Sequence, residues 1–414
     1  MAKERILIVE DNKALSKLIV KKMEMSLDFD IVAAYTYKEA QGLLEENDDF
    51  FMALLDLNLP DAPDGEVVDM VLEHQIPSIV LTGTMDKEVR EKILKKAVID
   101  YVYKGNIDDV NYIFSLIERL HKNQGTKVMV VDDSITQRAQ MKELLKLQMF
   151  TVLVAAHGEE ALNFLETHPD VKLILTDFNM PVMDGLELTK AIRKQKNKNE
   201  LPIIAMTSSN KELISAQFLK IGANDFINKP FTREELACRI NNSLDALEYI
   251  QQIEKMARND FLTGVFNRRY FFETMMAYRK TKEPFALAMI DIDDFKNIND
   301  TFGHDIGDST IISLTTMLKN SVKGSDIVAR FGGEEFCVVL KNIGQKNALE
   351  LFVKLRAQIA TTPIRPKNTK AFNFTVSIGV AFSDELKSLD MLIKEADQAL
   401  YHAKQNGKNR VEVA

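Results

Sequence analysis

Apolar residues in the first 240 positions come as short continuous runs, each ended by a polar or acidic residue. Ile6-Leu7-Ile8-Val9 ends in Glu10-Asp11-Asn12, and Val128-Met129-Val130-Val131 ends in Asp132-Asp133-Ser134. Ala53–Pro60 (ALLDLNLP) matches Ile174–Pro181 (ILTDFNMP), Ile79–Thr82 matches Ile204–Thr207, and Asp100–Lys104 matches Asp225–Lys229. The paired landmarks Asp11 and Asp133, Asp56 and Asp177, Thr82 and Thr207, and Lys104 and Lys229 lie 122, 121, 125 and 125 residues apart. A nearly constant offset over four landmarks marks an internal repeat. Runs rich in Val, Ile and Leu read as parallel strands covered on both faces. Between them, stretches such as Lys13–Met25 and Ile135–Leu147 space their apolar residues by three and four, as amphipathic helices do. The pattern predicts two doubly wound α/β domains, residues 1–122 and 125–245, each with five strand–helix units.

Ligands of such folds sit beyond the carboxyl ends of the strands. Every polar landmark above falls at such an end, so the acids, the Thr and the Lys of each copy should converge. Three carboxylates in one pocket repel one another unless a cation joins them, and Mg²⁺ suits oxygen ligands. The Asp after the third strand can then act as a carboxylate nucleophile toward a phosphoryl group, which the Lys neutralises and the Thr hydrogen-bonds.

On these residues both copies resemble response-regulator receiver domains. The resemblance implies that Asp56 and Asp177 are phosphoacceptors. It implies that Glu10, Asp11 and Asp56 in one copy, and Asp132, Asp133 and Asp177 in the other, each hold one Mg²⁺. Thr82 with Lys104, and Thr207 with Lys229, would bind the phosphoryl group. Tyr101 and Phe226 fall at the family's aromatic switch position and read equally well as core aromatics. The copies differ in detail. The second keeps Lys229-Pro230, a pair that is usually cis in the family, whereas the first has Lys104-Gly105, where a cis bond would cost ~2.5–4 kcal/mol. The first carries an insertion-like Asp61-Ala62-Pro63-Asp64-Gly65 and lacks a counterpart of the helix-ending Gly222. The second copy is therefore expected to be the dominant phosphoacceptor.

From Thr232 to Arg258 there is no Gly or Pro, and Leu236, Ile240, Leu244, Leu247, Ile250, Ile253 and Met256 follow in steps of three and four. This predicts a connecting helix over 232–258 that overlaps the end of the second α/β domain and continues as a coiled-coil stalk. From 259 to 414 the landmarks change. A strand-like run Phe285–Ile290 leads into Asp291-Ile292-Asp293-Asp294-Phe295-Lys296, and later Phe331-Gly332-Gly333-Glu334-Glu335-Phe336 predicts a tight hairpin with φ > 0 at a glycine. Asp291 and Glu334 on neighbouring strands make a two-carboxylate Mg²⁺ site for nucleotide phosphates.

With Asp260–Arg269 (DFLTGVFNRR), Asn299–Asp308 (NDTFGHDIGD) and Ala396–Lys404 (ADQALYHAK), these strings resemble the GGDEF diguanylate cyclase domain, its signature written here as GGEEF. The resemblance implies an α+β, nucleotide-cyclase-like fold with an antiparallel central sheet. It implies two Mg²⁺ per GTP, held by Asp291, Glu334, Glu335 and the carbonyl of Ile292, with Glu335 beside the attacking 3′-hydroxyl. Asn299 and Asp308 would pair with the guanine edge, and Lys296, Lys404 and Lys408 with phosphates; the family more often has Arg at the last. The family's inhibitory product site reads Lys323-Gly324-Ser325-Asp326 here, with Lys323 and Lys354 at positions where Arg is expected. Lys lacks the planar fork of Arg, so product inhibition should be weak. Each domain takes one GTP, so the condensation of two GTP into cyclic di-GMP and pyrophosphate implies a homodimer. A histidine kinase or phosphotransfer protein would supply the phosphoryl group.

Composition changes this picture little. A net charge of −8, with 46% hydrophobic and 28% charged residues, argues against a nucleic-acid binder. The two cysteines, Cys238 and Cys337, share no metal-binding or disulfide spacing. No apolar run approaches the ~18 residues that span a bilayer, and the amino-terminal run is too short for a signal peptide. A cytoplasmic protein is expected. The competing readings are a non-catalytic module that senses GTP or cyclic di-GMP, and a phosphorelay scaffold. Both sit poorly with Asp291, Glu334 and Glu335 all present.

Overall fold

The computed structural model describes residues 3–26, 28–83, 86–105, 107–208, 212–365, 371–384 and 386–414. The chain divides into two compact units, Met1–Tyr249 and Ile250–Ala414.

The first unit holds two parallel five-stranded sheets. The amino-terminal one runs β1 (Arg5–Val9), α1 (Lys13–Ser26), β2 (Asp30–Ala34), α2 (Tyr37–Glu46), β3 (Met52–Asp56), α3 (Glu66–Glu73), β4 (Ser78–Thr82), α4 (Lys87–Leu94), β5 (Asp100–Tyr103) and α5 (Ile107–Asn123). The second repeats it as β6 (Lys127–Val131), α6 (Ile135–Leu147), β7 (Thr151–Ala155), α7 (Gly158–Thr167), β8 (Val171–Asp177), α8 (Gly185–Arg193), β9 (Ile203–Ser208), α9 (Glu212–Ile221), β10 (Asp225–Lys229) and α10 (Arg233–Arg258). The strand orders β2-β1-β3-β4-β5 and β7-β6-β8-β9-β10 are the same topology. The continuous apolar runs fill both faces: Leu7, Val9, Ala53 and Leu55 pack in one layer, and Ile6, Ile8, Leu54 and Ile79 in the other. Helix starts follow local chemistry. Thr36 caps α2, Ser134 caps α6, and Asp184 with Glu187 forms a reciprocal capping box on α8.

The two sheets' domains meet through α5 and α10. Arg119, 7% exposed, reaches Asp245 at 2.9 Å and Glu248 at 2.6 Å, and Asn123 donates to the carbonyl of Gln148 at 3.0 Å. Arg90 pairs with Glu234 at 2.7 Å. Leu236, Ile240 and Leu244 on α10 enter the second domain's core, whereas Tyr249, Ile253 and Met256 on the same helix are exposed. The stripe read from the sequence is thus one helix with a buried first half.

The second unit is a mixed six-stranded sheet with helices packed on it. Its elements are β11 (Phe266–Asn267), α11 (Arg268–Tyr278), β12 (Phe285–Ile292), α12 (Phe295–Phe302), α13 (His304–Ser321), β13 (Ile327–Gly332), β14 (Glu335–Lys341), α14 (Gln345–Thr361), β15 (Val376–Phe382), α15 (Leu389–Gln405) and β16 (Val411–Val413). The order is β11-β13-β14-β12-β15-β16, with β13, β14, β12 and β15 antiparallel to their neighbours in the centre. β12 is buried along all eight residues, because helices cover both its faces. Among the described residues, no helix is long and apolar enough to cross a membrane.

Candidate functional site

In the first domain the carboxyl ends of β1, β3 and β5 bring Glu10, Asp56 and Lys104 together. Lys104 Nζ stands 2.9 Å from both Glu10 oxygens and 2.6 Å from Asp56. Ligand atoms of Glu10, Asp11 and Asp56 lie within 4.8 Å of one another. Burial pushes the Glu10 carboxyl above its usual range, and the neighbouring Asp56 charge adds to this against the pull of Lys104. Burial lowers the Lys104 pKa, but its bonds to Asp56 and Glu10 outweigh that and leave it raised. One ammonium facing three carboxylates leaves a pocket short of positive charge, which fits a divalent cation with oxygen ligands. Thr82 is buried at the end of β4, and its carbonyl accepts the Lys104 N–H at 2.8 Å.

The second domain repeats the arrangement with changes. Lys229 Nζ reaches Asp177 at 2.5 Å, Asp132 at 2.9 Å and, in addition, Gln137 at 2.5 Å. Burial raises the Asp177 pKa, and Asp132 adds to this, while Lys229 opposes both. Thr207 donates to Asn228 at 2.8 Å. Asp133 is exposed, and among the described residues the tight convergence of three acids occurs in the first domain alone. The Lys229–Pro230 bond is cis, and Lys104–Gly105 is not among the cis bonds. Gly222 ends α9 with φ 106°. Tyr101 and Phe226 both pack partly buried against core clusters, and the Tyr101 hydroxyl is buried with no hydrogen-bond partner among the described residues.

In the second unit the hairpin between β13 and β14 turns at Gly332 (φ 155°) and Gly333 (φ 51°), dihedrals that exclude most side chains. The register sets Asp291 on β12 directly opposite Glu335 on β14, with Glu334 in the turn itself. The sequence had paired Asp291 with Glu334 across strands; the strand partner is Glu335. Asp291 is buried, and burial lifts its pKa to about 6; Lys404 on α15, 2.8 Å away, opposes this, and Glu334 and Glu335 add to it. Asp291 has Lys404 as its ion-pair partner and Glu334 and Glu335 as neighbouring negative charges, a set of oxygen donors that suits a divalent cation. Lys408 pairs with Asp294 at 2.6 Å. Asn299 on α12 is half-buried, while Lys296 and Asp308 are exposed.

Two groups outside the sequence reading shape this site. Asp293, buried just past β12, accepts from Thr375 Oγ1 and Ser377 Oγ at 2.6 Å and from the Asn409 N–H at 3.0 Å. It thereby fixes the loop after Asp291 to β15 and to the Lys408 segment. Arg330 donates to the Gly333 carbonyl at 2.8 Å and to Asp260 at 2.9 Å, tying the hairpin turn to the start of the unit. At the far end of β13, Asp326 spends both oxygens on backbone N–H groups, of Lys323 at 2.8 Å and Lys341 at 2.9 Å.

Family models match the chain in the same places. The response regulator receiver domain matches residues 6–112 and 128–241, and the GGDEF diguanylate cyclase domain matches 257–410. The chain is 28% identical to the response regulator PleD of Caulobacter vibrioides over 98% of both chains. It is 37% identical to diguanylate cyclase A of Treponema denticola over 42% of this chain and 47% of that protein. A solved protein assigned as a two-component response regulator with a GGDEF domain is 40% identical, with a TM-score of 0.56, and matches 59% of this chain and all of its own. The chain belongs to the response regulators, with two receiver domains followed by a GGDEF diguanylate cyclase domain.

Proposed function

We propose that the chain is a phosphorylation-regulated diguanylate cyclase, with receivers at 1–122 and 125–245, a connecting helix at 232–258 and the cyclase at 259–414. The observation that carries this is the trio Asp291, Glu334 and Glu335 gathered on the β12 end and the β13–β14 turn, with Lys404 against Asp291. GGDEF cyclases and receivers generally use Mg²⁺. Asp291, Glu334, Glu335 and the Ile292 carbonyl would hold it in the cyclase, and the three acids of each pocket in the receivers. Bound there, the ion neutralises phosphate charge and lowers the pKa of the attacking hydroxyl. The chain's own groups do the rest. Asn299 and Asp308 read guanine, and Lys296, Lys404 and Lys408 meet phosphates, Lys408 leaving Asp294 to do so. The Glu335 carboxylate takes the proton of a 3′-hydroxyl as its oxygen attacks the α-phosphorus of the GTP facing it. The bond to the β-phosphate breaks in line, and pyrophosphate leaves. Two such attacks close the ring, so two chains must face each other.

Phosphoryl transfer from a kinase or phosphotransfer protein to a receiver would alter how those chains meet. The test is cyclic di-GMP production with and without a phosphoryl donor. Glu334→Gln and Glu335→Gln are expected to cut turnover by about two orders of magnitude or more in folded protein; near-normal turnover in either would overturn the assignment. Progress curves in the same assay should stay straight to high product. Lys323 lacks the fork that binds a phosphate at two points, and Asp326 is engaged with the backbone. Early curvature lost in Lys323→Ala would reverse that expectation.

A further inference from the structure

Gly307 lies inside α13 with an ordinary helical conformation. Its N–H bonds to the Gly303 carbonyl at 3.2 Å, and its φ lies outside the left-handed region. Nothing in its backbone therefore calls for glycine, and glycine weakens a helix interior relative to alanine. What calls for it is space. A Cβ built on Gly307 would stand 1.9 Å from Asn299 Oδ1, 3.0 Å from Asn299 Cγ and 3.3 Å from Phe295 Cζ. The amide of Asn299 lies in the volume that any other residue would fill.

α12 is not free to back away. Ile298 and Phe295 pack into the main core of the cyclase domain, and the Asn299 carbonyl is bonded to the Gly303 N–H at 2.9 Å where the chain turns into α13. A side chain at 307 would leave both helices in place and turn the Asn299 amide aside. Asp308, next along α13, is exposed and would not move with it.

We infer that Gly307 is a specificity-determining positioning residue of the nucleotide site: the missing side chain seats the Asn299 amide beside Asp308, so that the two present one edge to guanine. The inference rests on the reading of Asn299 and Asp308 as the guanine partners. A purine whose edge lacks the matching donors and acceptors leaves these groups unpaired, so the loss on displacing one of them should fall on GTP and spare ATP.

The experiment compares the full-length wild type with Gly307→Ala, Asn299→Ala and the double variant. Calorimetry in Mg²⁺ gives affinities for the non-reacting α,β-methylene analogues of GTP and ATP, and calorimetric melting gives stability. Gly307→Ala is expected to weaken the GTP analogue roughly tenfold, the loss of one or two hydrogen bonds, with ATP affinity unchanged and a melting midpoint not lowered. In the Asn299→Ala background, adding Gly307→Ala should change GTP affinity by less than about twofold, because the group it acts through is gone. The inference is overturned if Gly307→Ala keeps wild-type affinity and selectivity. It is equally overturned if the substitution weakens both analogues alike, or costs the same tenfold without Asn299. A wild type that binds neither analogue would instead overturn the reading of the site, and this inference with it.

Discussion

The first receiver wraps Lys104 between Glu10 and Asp56, whose side chains are 0% and 3% exposed, whereas the second leaves Asp177 14% exposed beside Lys229. The rims differ in the same sense. In the first, the Asp61 carboxylate accepts the Tyr37 N–H at 2.9 Å and the Lys38 N–H at 3.2 Å, which pins the β3–α3 loop to the start of α2. In the second, the matching loop carries Val182, exposed and held at φ 68°, and Ile135 at the head of α6 is exposed as well. In the first pocket three acids converge and Asp56 is covered; in the second Asp132 and Asp177 share Lys229, Asp177 is partly exposed and Asp133 points to solvent. On the roles proposed above, each aspartate serves both as phosphoacceptor and as metal ligand, so the greater exposure of Asp177 favours phosphoryl acceptance in the second receiver and the converged acids favour a tighter metal site in the first.

The largest effect that could break this contrast is on activation. Asp177→Asn is expected to remove most of the phosphoryl-dependent stimulation of cyclic di-GMP synthesis, a coupling on the order of 5–150-fold for switches of this kind. Asp56→Asn should remove the smaller share. The measurement is labelled phosphate incorporation alongside turnover in both variants. Loss of activation in Asp56→Asn alone would invert the ranking and mean that burial of Asp56 does not hinder transfer.

A smaller effect separates the metal sites. Asp133→Asn leaves the first pocket intact, and Asp11→Asn leaves the second. Three converging carboxylates spend less on reorganisation when they close on a cation, so the Asp133→Asn chain should keep the tighter of the two receiver sites for Mg²⁺, by about tenfold. Calorimetric titration with Mg²⁺ in the absence of nucleotide, with Asp291→Asn added to silence the cyclase site, reads this directly. Equal affinities would show that Asp133 swings in at no cost.

Most of both pockets was legible because their residues end buried strands. A run such as Ala53–Leu55 tells where Asp56 must emerge, and the repeat told it twice. The cyclase acids were legible by motif, but their pairing was not. Whether Asp291 faces Glu334 or Glu335 depends on the register of β12 against β14 and on where the two-glycine turn ends, which leaves Glu334 in the turn and makes Glu335 the first residue of β14. Asp293 read as one more acid in a string, because its three donors come from 82 to 116 residues away. Separations of 70 and 114 residues likewise hid Arg330's bond to Asp260 and the preference of Lys408 for Asp294. Gly307 carried no signal of its own; only the approach of α12 gives its missing side chain a purpose.

The smallest expected effect tests the contrast away from the pockets, at the starts of β5 and β10. Asp100 and Asp225 are matched in the repeat, and each accepts the next residue's N–H at 2.8 Å. Asp225, 31% exposed, also accepts from Arg239 Nη1 at 2.9 Å and 3.1 Å. Asp100 instead accepts from the Tyr112 hydroxyl at 2.7 Å, on the side of the first receiver that meets α10. Burial raises the Asp100 pKa; Tyr112 opposes this most, with Arg233 a weaker help, and Glu234 adds to the rise. A carboxyl whose folded pKa lies above its unfolded value of ~3.9 burdens the fold at neutral pH. The burden lifts as pH falls through the folded value and is gone below the unfolded one. Asp100→Asn keeps an acceptor for Tyr112 and removes the buried charge, so its urea midpoint should rise at about pH 7.5 and converge on the wild type only as the pH falls below the unfolded carboxyl value of ~3.9. Asp225→Asn gives up a partly exposed ion pair and should lose about 0.2–1 kcal/mol. If Asp100→Asn is the less stable chain at neutral pH, the hydrogen bond from Tyr112 and the attraction of Arg233 together outweigh burial, and the first receiver uses this aspartate as a charge, as the second does.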